Sequence, residues 1–318
     1  MSIDTRKAMT ARSLFALTAL LAASACGGDA GDDGSGLRGT IAVDGSSTVQ
    51  PITEAIAEEF GLENNRVQVN VAVSGTGGGF RRFCAGETDI SNASRHITPT
   101  EIEACAQNGV EYVQLTVALD GIAITVNSSN TFVDCLKVEE LRMIWEPSSA
   151  VRTWADVRAG WPAEPIKLYG AGTNSGTFDY FTEAVMGEAR ASRPDYTASE
   201  DDNVLVQGVE GDRQSLGYFG FAYYFENRTR VKAVPIDNGT GCVLPDENTI
   251  MTGQYAPLSR PLFLYVKRAS LARPEVAAFV RYYLEHAPTI VPQVGYVALT
   301  PAQYQEEMSK LSTAAGGD

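Results

Sequence analysis

Histidine is scarce in this chain. Of 318 residues only His96 and His286 are histidines, and the five cysteines form no C-x-x-C pair. That spacing fits no zinc-ligand pattern, so a metal centre is not expected. Basic charge is also short: 25 Lys and Arg face 39 Asp and Glu, a net charge of −14 at pH 7. This excludes the basic footprint of a nucleic-acid-binding protein. The apolar run Ser13–Ala25 falls short of the ~20 residues that cross a bilayer comfortably. Signatures of nucleotide and ester chemistry are missing too. No lysine stands in the Ser/Gly/Thr-rich loops, so there is no P-loop. Gly75 and Gly77 would need a third glycine where Phe80 stands, and Gly172 lies three residues before Ser175, one too many for a hydrolase nucleophile elbow.

What is present is an ordinary globular balance. Hydrophobic residues make up 44% and charged residues 20%, a composition that can bury a core over a length suited to two domains. Arg6, Lys7 and Arg12 precede the apolar run, which reads as a signal peptide over residues 1–25. Ala23-Ser24-Ala25 suits ordinary cleavage, but Cys26 follows at once, and "AASAC" fits a loose bacterial lipobox; lipidation of Cys26 is the preferred reading. Residues 26–38, with the stretch "GGDAGDDGSG", then form a flexible tether between membrane and domain. If Cys26 carries lipid, Cys84, Cys105, Cys135 and Cys242 remain, an even set that suggests two disulfides in an exported chain. Three pairings are possible. Cys84 with Cys105 and Cys135 with Cys242 is preferred, because the long segment between the second pair then looks like a self-contained domain.

Helical and strand-like segments alternate along the chain, which indicates an α/β fold with a largely parallel sheet. "VEYVQLTVALDGIAITVN" reads as two apolar runs, and a glycine-rich loop precedes the helix "FRRFCAG". The first βα units and the last helices, at opposite ends of the chain, are expected to join as one domain over 39–120 plus 264–318. Residues 121–263 then form an inserted second domain. Two crossing strands, "DGIAITVN" and "PLFLYVKR", would make the hinge, with a ligand cleft between the domains.

Four loops carry the candidate chemistry: "DGSSTV" (Asp44–Val49), "SGTGGGF" (Ser74–Phe80), "SNASRHI" (Ser91–Ile97) and "GTNSGTF" (Gly172–Phe178). Three of them run from an apolar strand through Ser, Thr and Gly into a helix. Free backbone N–H groups and the helix dipole make such an entrance an anion site without formal charge, and hydroxyls add donors. Taken singly, each reads as a helix cap. The combination is more informative. With Ser46-Ser47-Thr48 aligned on Ser175-Gly176-Thr177, Thr53-Glu54-Ala55 falls on Thr182-Glu183-Ala184 without a gap. Two entrances at matching registers could face each other across a cleft. Arg95 is the fixed positive charge of these loops and can offer a bidentate fork to an oxyanion. Asp44 and Asp89 read as loop braces, and Arg81 and Arg82 as exposed helix residues.

These motifs, with "LGYFGFAYYFEN" behind them, resemble the periplasmic phosphate-binding protein of the bacterial high-affinity phosphate ABC importer, in the branch with SSTV and TDISNASR signatures. The likeness runs from about Gly39 to Leu311. It implies a two-domain clam-shell that closes on inorganic phosphate and hands it to a membrane permease. By motif, the phosphate contacts would be Ser46, Ser47, Thr48, Ser74, Gly75, Thr76, Ser94, Arg95, Ser175, Gly176 and Thr177. The resemblance further implies no cofactor and no catalytic residues, a monomer, and a periplasmic or cell-surface location, anchored through Cys26. The sequence departs from the better-known branch in one respect. Ser94 stands near that branch's proton-accepting Asp, and Ala171 or Gly172 near its Arg. Arg95 is therefore expected to supply the guanidinium, and the group that tells phosphate from sulfate is unassigned. The alternatives are a binding protein for another tetrahedral oxyanion, such as sulfate or molybdate, or a phosphatase on the same scaffold.

Overall fold

A computed structural model describes residues 36–173 and 175–316. The expected signal peptide, the lipidation at Cys26 and most of the tether lie outside the described residues. Nine strands of the described residues form one mixed sheet. They are β1 (Gly39–Gly45), β2 (Val67–Val73), β3 (Ile90–Ala93), β4 (Tyr112–Asn127), β5 (Lys167–Ala171), β6 (Thr197–Ser199), β7 (Ser215–Gly220), β8 (Val231–Ala233) and β9 (Ser259–Lys267). β2, β1 and β3 run parallel, as do β7, β5 and β6. The antiparallel pairs are those of β4 with β9, β7 and β8, and of β9 with β3. The sheet is therefore less parallel than the alternation of segments suggests, because both strands that link the lobes run against their neighbours.

β4 is the spine of the molecule. The two apolar runs anticipated there are one strand of 16 residues, about 50 Å at ~3.3 Å per residue. Its first half pairs with β9 up to Gly121, and its second half, from Ile122, pairs with β7. Helices cover both faces, so every residue from Val117 to Asn127 is buried. β9 bonds to β4 from Ser259 onward, and Ile122 N–H donates to Leu258 O at 2.9 Å. β9 is thus held against β4 from Leu258 onward.

The helices that position the site are α1 (Gln50–Glu63), α2 (Gly75–Cys84), α3 (Pro99–Gln107) and α4 (Gly176–Met186), with α5 (Asp202–Gly211) beside the hinge and α6 (Pro274–Gln293) behind α1. Phe60 of α1 sits edge-on to Phe279 and Tyr282 of α6 at 5.4 and 5.3 Å. The glycine run expected as a loop is instead the first part of α2. A methyl group on Gly79 would lie 2.5 Å from Gly45 Cα and 2.9 Å from Ser91 Oγ. The bare backbone lets α2 rest directly on the ends of β1 and β3. Cys84 bonds Cys105, which ties α2 to α3, and Cys135 bonds Cys242 within the inserted lobe. Both preferred pairings are present.

Candidate functional site

The parallel strands β1, β2 and β3 end side by side, and the loops that leave them form one wall of a cavity of about 250 Å³ between the lobes. Ser46, Ser47 and Thr48 line it from the entrance of α1, Gly75, Thr76 and Gly77 from the first turn of α2, and Ser94 and Arg95 from the loop after β3. The opposite wall is α4 and its sequel, with Asp179, Tyr180, Glu183 and Ala189, and Arg260 enters from the hinge. A wider cavity of about 340 Å³ behind the hinge shares Arg260, but its walls mix the hydroxyls of Thr116, Thr252 and Ser259 with Leu119, Ile250 and Leu299 and with the carboxylates of Glu306 and Glu307.

The two echoing entrances do meet. A methyl on Gly176 would stand 3.0 Å from both Cα and Oγ1 of Thr48, so the start of α4 lies against the start of α1 with the lobes closed together. Each entrance carries the same short-range serine bond, which caps α4 at Ser175 but precedes α1, whose N-cap Val49 has no side-chain cap. Thr48 N–H donates to Ser46 Oγ at 3.2 Å, and Thr177 N–H to Ser175 Oγ at 3.1 Å. Ser175, Gly176 and Thr177 adjoin the cavity through this contact but do not line it. Ser74 is turned away: its side chain is exposed and its hydroxyl donates to Asp44 Oδ1 at 2.9 Å. Asp44 also pairs with Arg82, and Asp89 accepts from Ala42 N–H, Ser270 Oγ and Arg273 Nη1. Both aspartates therefore brace loops.

Arg95 lines the cavity, yet its fork is engaged elsewhere. Nη1 and Nη2 each donate to a Glu101 oxygen at 2.9 Å, and the guanidinium lies 5.6 Å from the Phe80 ring centre. Glu101 first, and more weakly Glu183, hold the Arg95 proton more tightly than usual. Ser94 is likewise committed, with its Oγ 3.1 Å from Thr76 Oγ1 and its N–H donating to the same oxygen at 3.2 Å.

Arg260 was not anticipated. It opens β9 directly opposite Asp120 of β4, so both residues sit where the chain crosses between lobes. Its Nη2 donates to Thr48 Oγ1 at 3.0 Å, its Nε reaches Asp120 Oδ2 at 3.4 Å, and its Nη1 lies 3.7 Å from Glu183 Oε2. The guanidinium stacks 3.5 Å above the Tyr180 ring centre, while Tyr180 hydroxyl donates to Pro257 O at 2.8 Å. Only 13% of its side chain is exposed. Burial pushes the Asp120 carboxyl up, and Arg260 works against that push. Burial likewise raises Asp179, which Arg190 partly offsets from 3.1 Å. A cation pinned by a hinge carboxylate, an aromatic face and a threonine hydroxyl is pre-oriented toward the cavity. The sequence did hold a signal: an Arg and an Asp stand at the matching ends of the two crossing strands. Asp179, Tyr180 and Glu183 carried none beyond helical spacing.

Comparisons with known proteins give the family and the fold. A PBP superfamily domain matches residues 30–286. The chain is 48% identical to Protein SphX of Synechocystis over 280 residues, 87% of this chain and 83% of that one. It is 39% identical to the phosphate-binding protein PstS of Staphylococcus saprophyticus over 312 residues, 96% of this chain and 95% of that one. Among solved structures, a possible phosphate binding protein from Planctomyces limnophilus superposes with a TM-score of 0.85 at 49% identity, covering 87% of this chain and 99% of that one. An ABC-type phosphate transport receptor from Vibrio cholerae gives a TM-score of 0.63 at 25% identity, covering 82% and 100%.

Proposed function

Since the chain belongs to the PBP superfamily, and within it to the family of the SphX and PstS proteins, we propose that it is an extracytoplasmic binding protein that captures inorganic phosphate between its lobes and delivers it to an ABC permease. The observation that carries this reading is the meeting of Arg260 with three hydroxyl-bearing loops at one inter-lobe cavity. A tetrahedral oxyanion has four oxygens and takes donors from several directions at once. Thr48, Thr76, Ser94 and the N–H groups of the α2 entrance supply neutral donors, and Arg260 and Arg95 supply charge. Loss of residues 1–25 removes a net two positive charges, leaving the mature chain near −16. The remaining surface is acidic and disfavours casual anion binding, which makes the donor-lined cleft the attractive place.

Closure of the lobes hides the anion and joins the two halves of the surface that a permease would meet. In this reading the chain acts by binding rather than catalysis, in line with the names of its relatives. Among the described residues no group of His, Cys, Asp and Glu could hold a metal ion. His96, the histidine nearest Ser94 in sequence, packs 4.6 Å from the Phe263 ring centre with Nδ1 toward Gln114. The proposed molecule is a monomer, held to the membrane by lipid on Cys26. Calorimetric titration of ligand-stripped mature protein tests the reading. Phosphate is expected to bind at about 1 μM or tighter, a free energy near −8 kcal/mol, with arsenate similar and sulfate weaker. No heat with phosphate would refute it.

A further inference from the structure

The wider cavity behind the hinge, about 340 Å³, plays no part in phosphate capture. Both lobes build it. Ile250 and Met251 of the short helix Glu247–Met251, with Thr252 after it, come from the inserted lobe. Leu299 and the first two turns of the last helix, Pro301–Ala315, come from the other. Leu119, Ile250 and Leu299 give it a buried apolar part. Its polar part is weighted toward acceptors. Thr252 Oγ1 donates to Asn248 O at 2.7 Å and Ser259 Oγ to Tyr255 O at 3.1 Å, so each hydroxyl oxygen is left as an acceptor. Gln303 turns its oxygen to Thr300 and keeps amide hydrogens to spare. Arg260 also lines this cavity, but its nitrogens are directed to Thr48, Asp120 and Glu183.

Glu307 is the distinctive wall residue. It is 6% exposed. Its Oε1 accepts from Lys310 Nζ at 2.8 Å, and that lysine is half exposed. Its Oε2 is buried and has no hydrogen-bond partner among the described residues. A buried carboxylate oxygen without a donor is costly, and on a cavity wall a ligand can supply that donor. Glu306, exposed beside it, adds a second negative charge. Among the described residues no group of His, Cys, Asp and Glu could hold a metal ion, whereas the apolar walls suit a carbon chain. We infer that the cavity behind the hinge is a second ligand site, for a small primary ammonium with a short apolar body, whose occupancy favours the closed lobes. The ammonium donates to Glu307 Oε2, and its chain lies against Leu119, Ile250 and Leu299. The cavity and the phosphate cleft share Arg260 and lie on opposite sides of the crossing strands, so a bend about those strands that opens the cleft narrows the cavity. An occupant therefore opposes opening and tightens phosphate binding. That coupling rests on the phosphate reading; the site itself does not.

The test is calorimetry of the mature protein with n-butylammonium chloride at fixed total chloride, with n-butanol as the uncharged match. The ammonium should bind about tenfold tighter than the alcohol. Glu307→Gln keeps the volume and still accepts from Lys310, and it should erase that preference. Thr252→Trp, at an exposed position of the cavity wall, should block both probes; melting temperatures report that the variants fold, and if Glu307→Gln does not, Thr252→Trp decides. With the ammonium saturating, phosphate should bind about threefold tighter, and Thr252→Trp should lose this gain. Equal binding of ammonium and alcohol, a preference that survives Glu307→Gln, or probe binding undiminished in Thr252→Trp overturns the site. Phosphate affinity that is unchanged or weakened by the probe overturns the coupling. Failure of the protein to bind phosphate refutes the phosphate reading and the coupling, while titration of the probe still decides the site.

Discussion

Replacing Arg260 with methionine probes the centre of the site. Methionine keeps the stem against Tyr180 and removes the charge. Truncating one partner of a buried, hydrogen-bonded charge pair costs about 2–5 kcal/mol. Arg95 and the hydroxyls of Thr48, Thr76 and Ser94 remain, so the lower part of that range applies. Phosphate affinity should fall about 100-fold, near 3 kcal/mol. Stability changes by a separate route. Asp120 is 4% exposed, and burial already pushes its carboxyl up while Arg260 pulls it down. Without Arg260 the folded carboxyl rises further above its unfolded value. The folded protein then holds a proton that the unfolded chain releases, so stability is greatest at low pH and is lost as pH climbs through that window toward the folded value. Arg260→Met should melt lower than the unaltered protein at pH 8 and approach it near pH 5. Adding Asp120→Asn should restore the melting temperature at pH 8 without restoring phosphate affinity. The assays are thermal melts across pH and calorimetric titration with phosphate. If Arg260→Met binds phosphate within threefold of the unaltered protein, Arg260 is not the anion's cation. If the double variant recovers binding along with stability, the lost affinity was only damage to the hinge.

Two other perturbations follow from the same geometry. Gly176→Ala places a methyl 3.0 Å from Thr48 Cα, so the lobes cannot close fully; phosphate affinity should drop about tenfold, with an unchanged melting temperature and a smaller phosphate-induced decrease in radius of gyration by X-ray scattering. Asp202, at the start of α5, is pushed up to about 6, first by burial and then by the Asp201 and Asp120 charges; stability should therefore decline as pH rises from about 4 to 6, by up to ~3 kcal/mol. Asp202→Asn, which still accepts from Gly220 N–H, should flatten the pH–melting curve over that interval, and an unaltered slope would show that the carboxyl titrates normally.

The architecture was legible because it follows from local pattern. Alternating segments marked the βα units, and the even cysteine set marked two bonds that the structure contains. The glycine run was misplaced for a physical reason. Glycine is a poor helix former on its own, but at Gly79 the requirement for close approach of α2 to Gly45 outweighs propensity. What was not legible was the pairing of distant residues. Arg260 and Asp120 lie 140 positions apart, and only the antiparallel register of β9 on β4 brings them to one point.

The sequence echo separates these two kinds of information. Its threonines do the same work in both lobes: Thr53 Oγ1 donates to Val49 O at 3.3 Å, and Thr182 Oγ1 to Phe178 O at 2.8 Å, each fully buried within the first two turns of its helix. Its first serines both accept from the N–H two residues on, although only Ser175 caps its helix. These are packing constraints internal to a βα unit, and a repeated unit repeats them. The glutamates diverge. Glu54 turns outward to Gln50, and Glu183 faces the cleft near Arg260. That difference depends on what the opposite lobe presents, which no pattern within one unit encodes. The echo therefore locates the two loop entrances that meet at the cavity, while the charged residues beside them, Arg260 at the hinge and Glu183 across from it, come together only when the lobes meet.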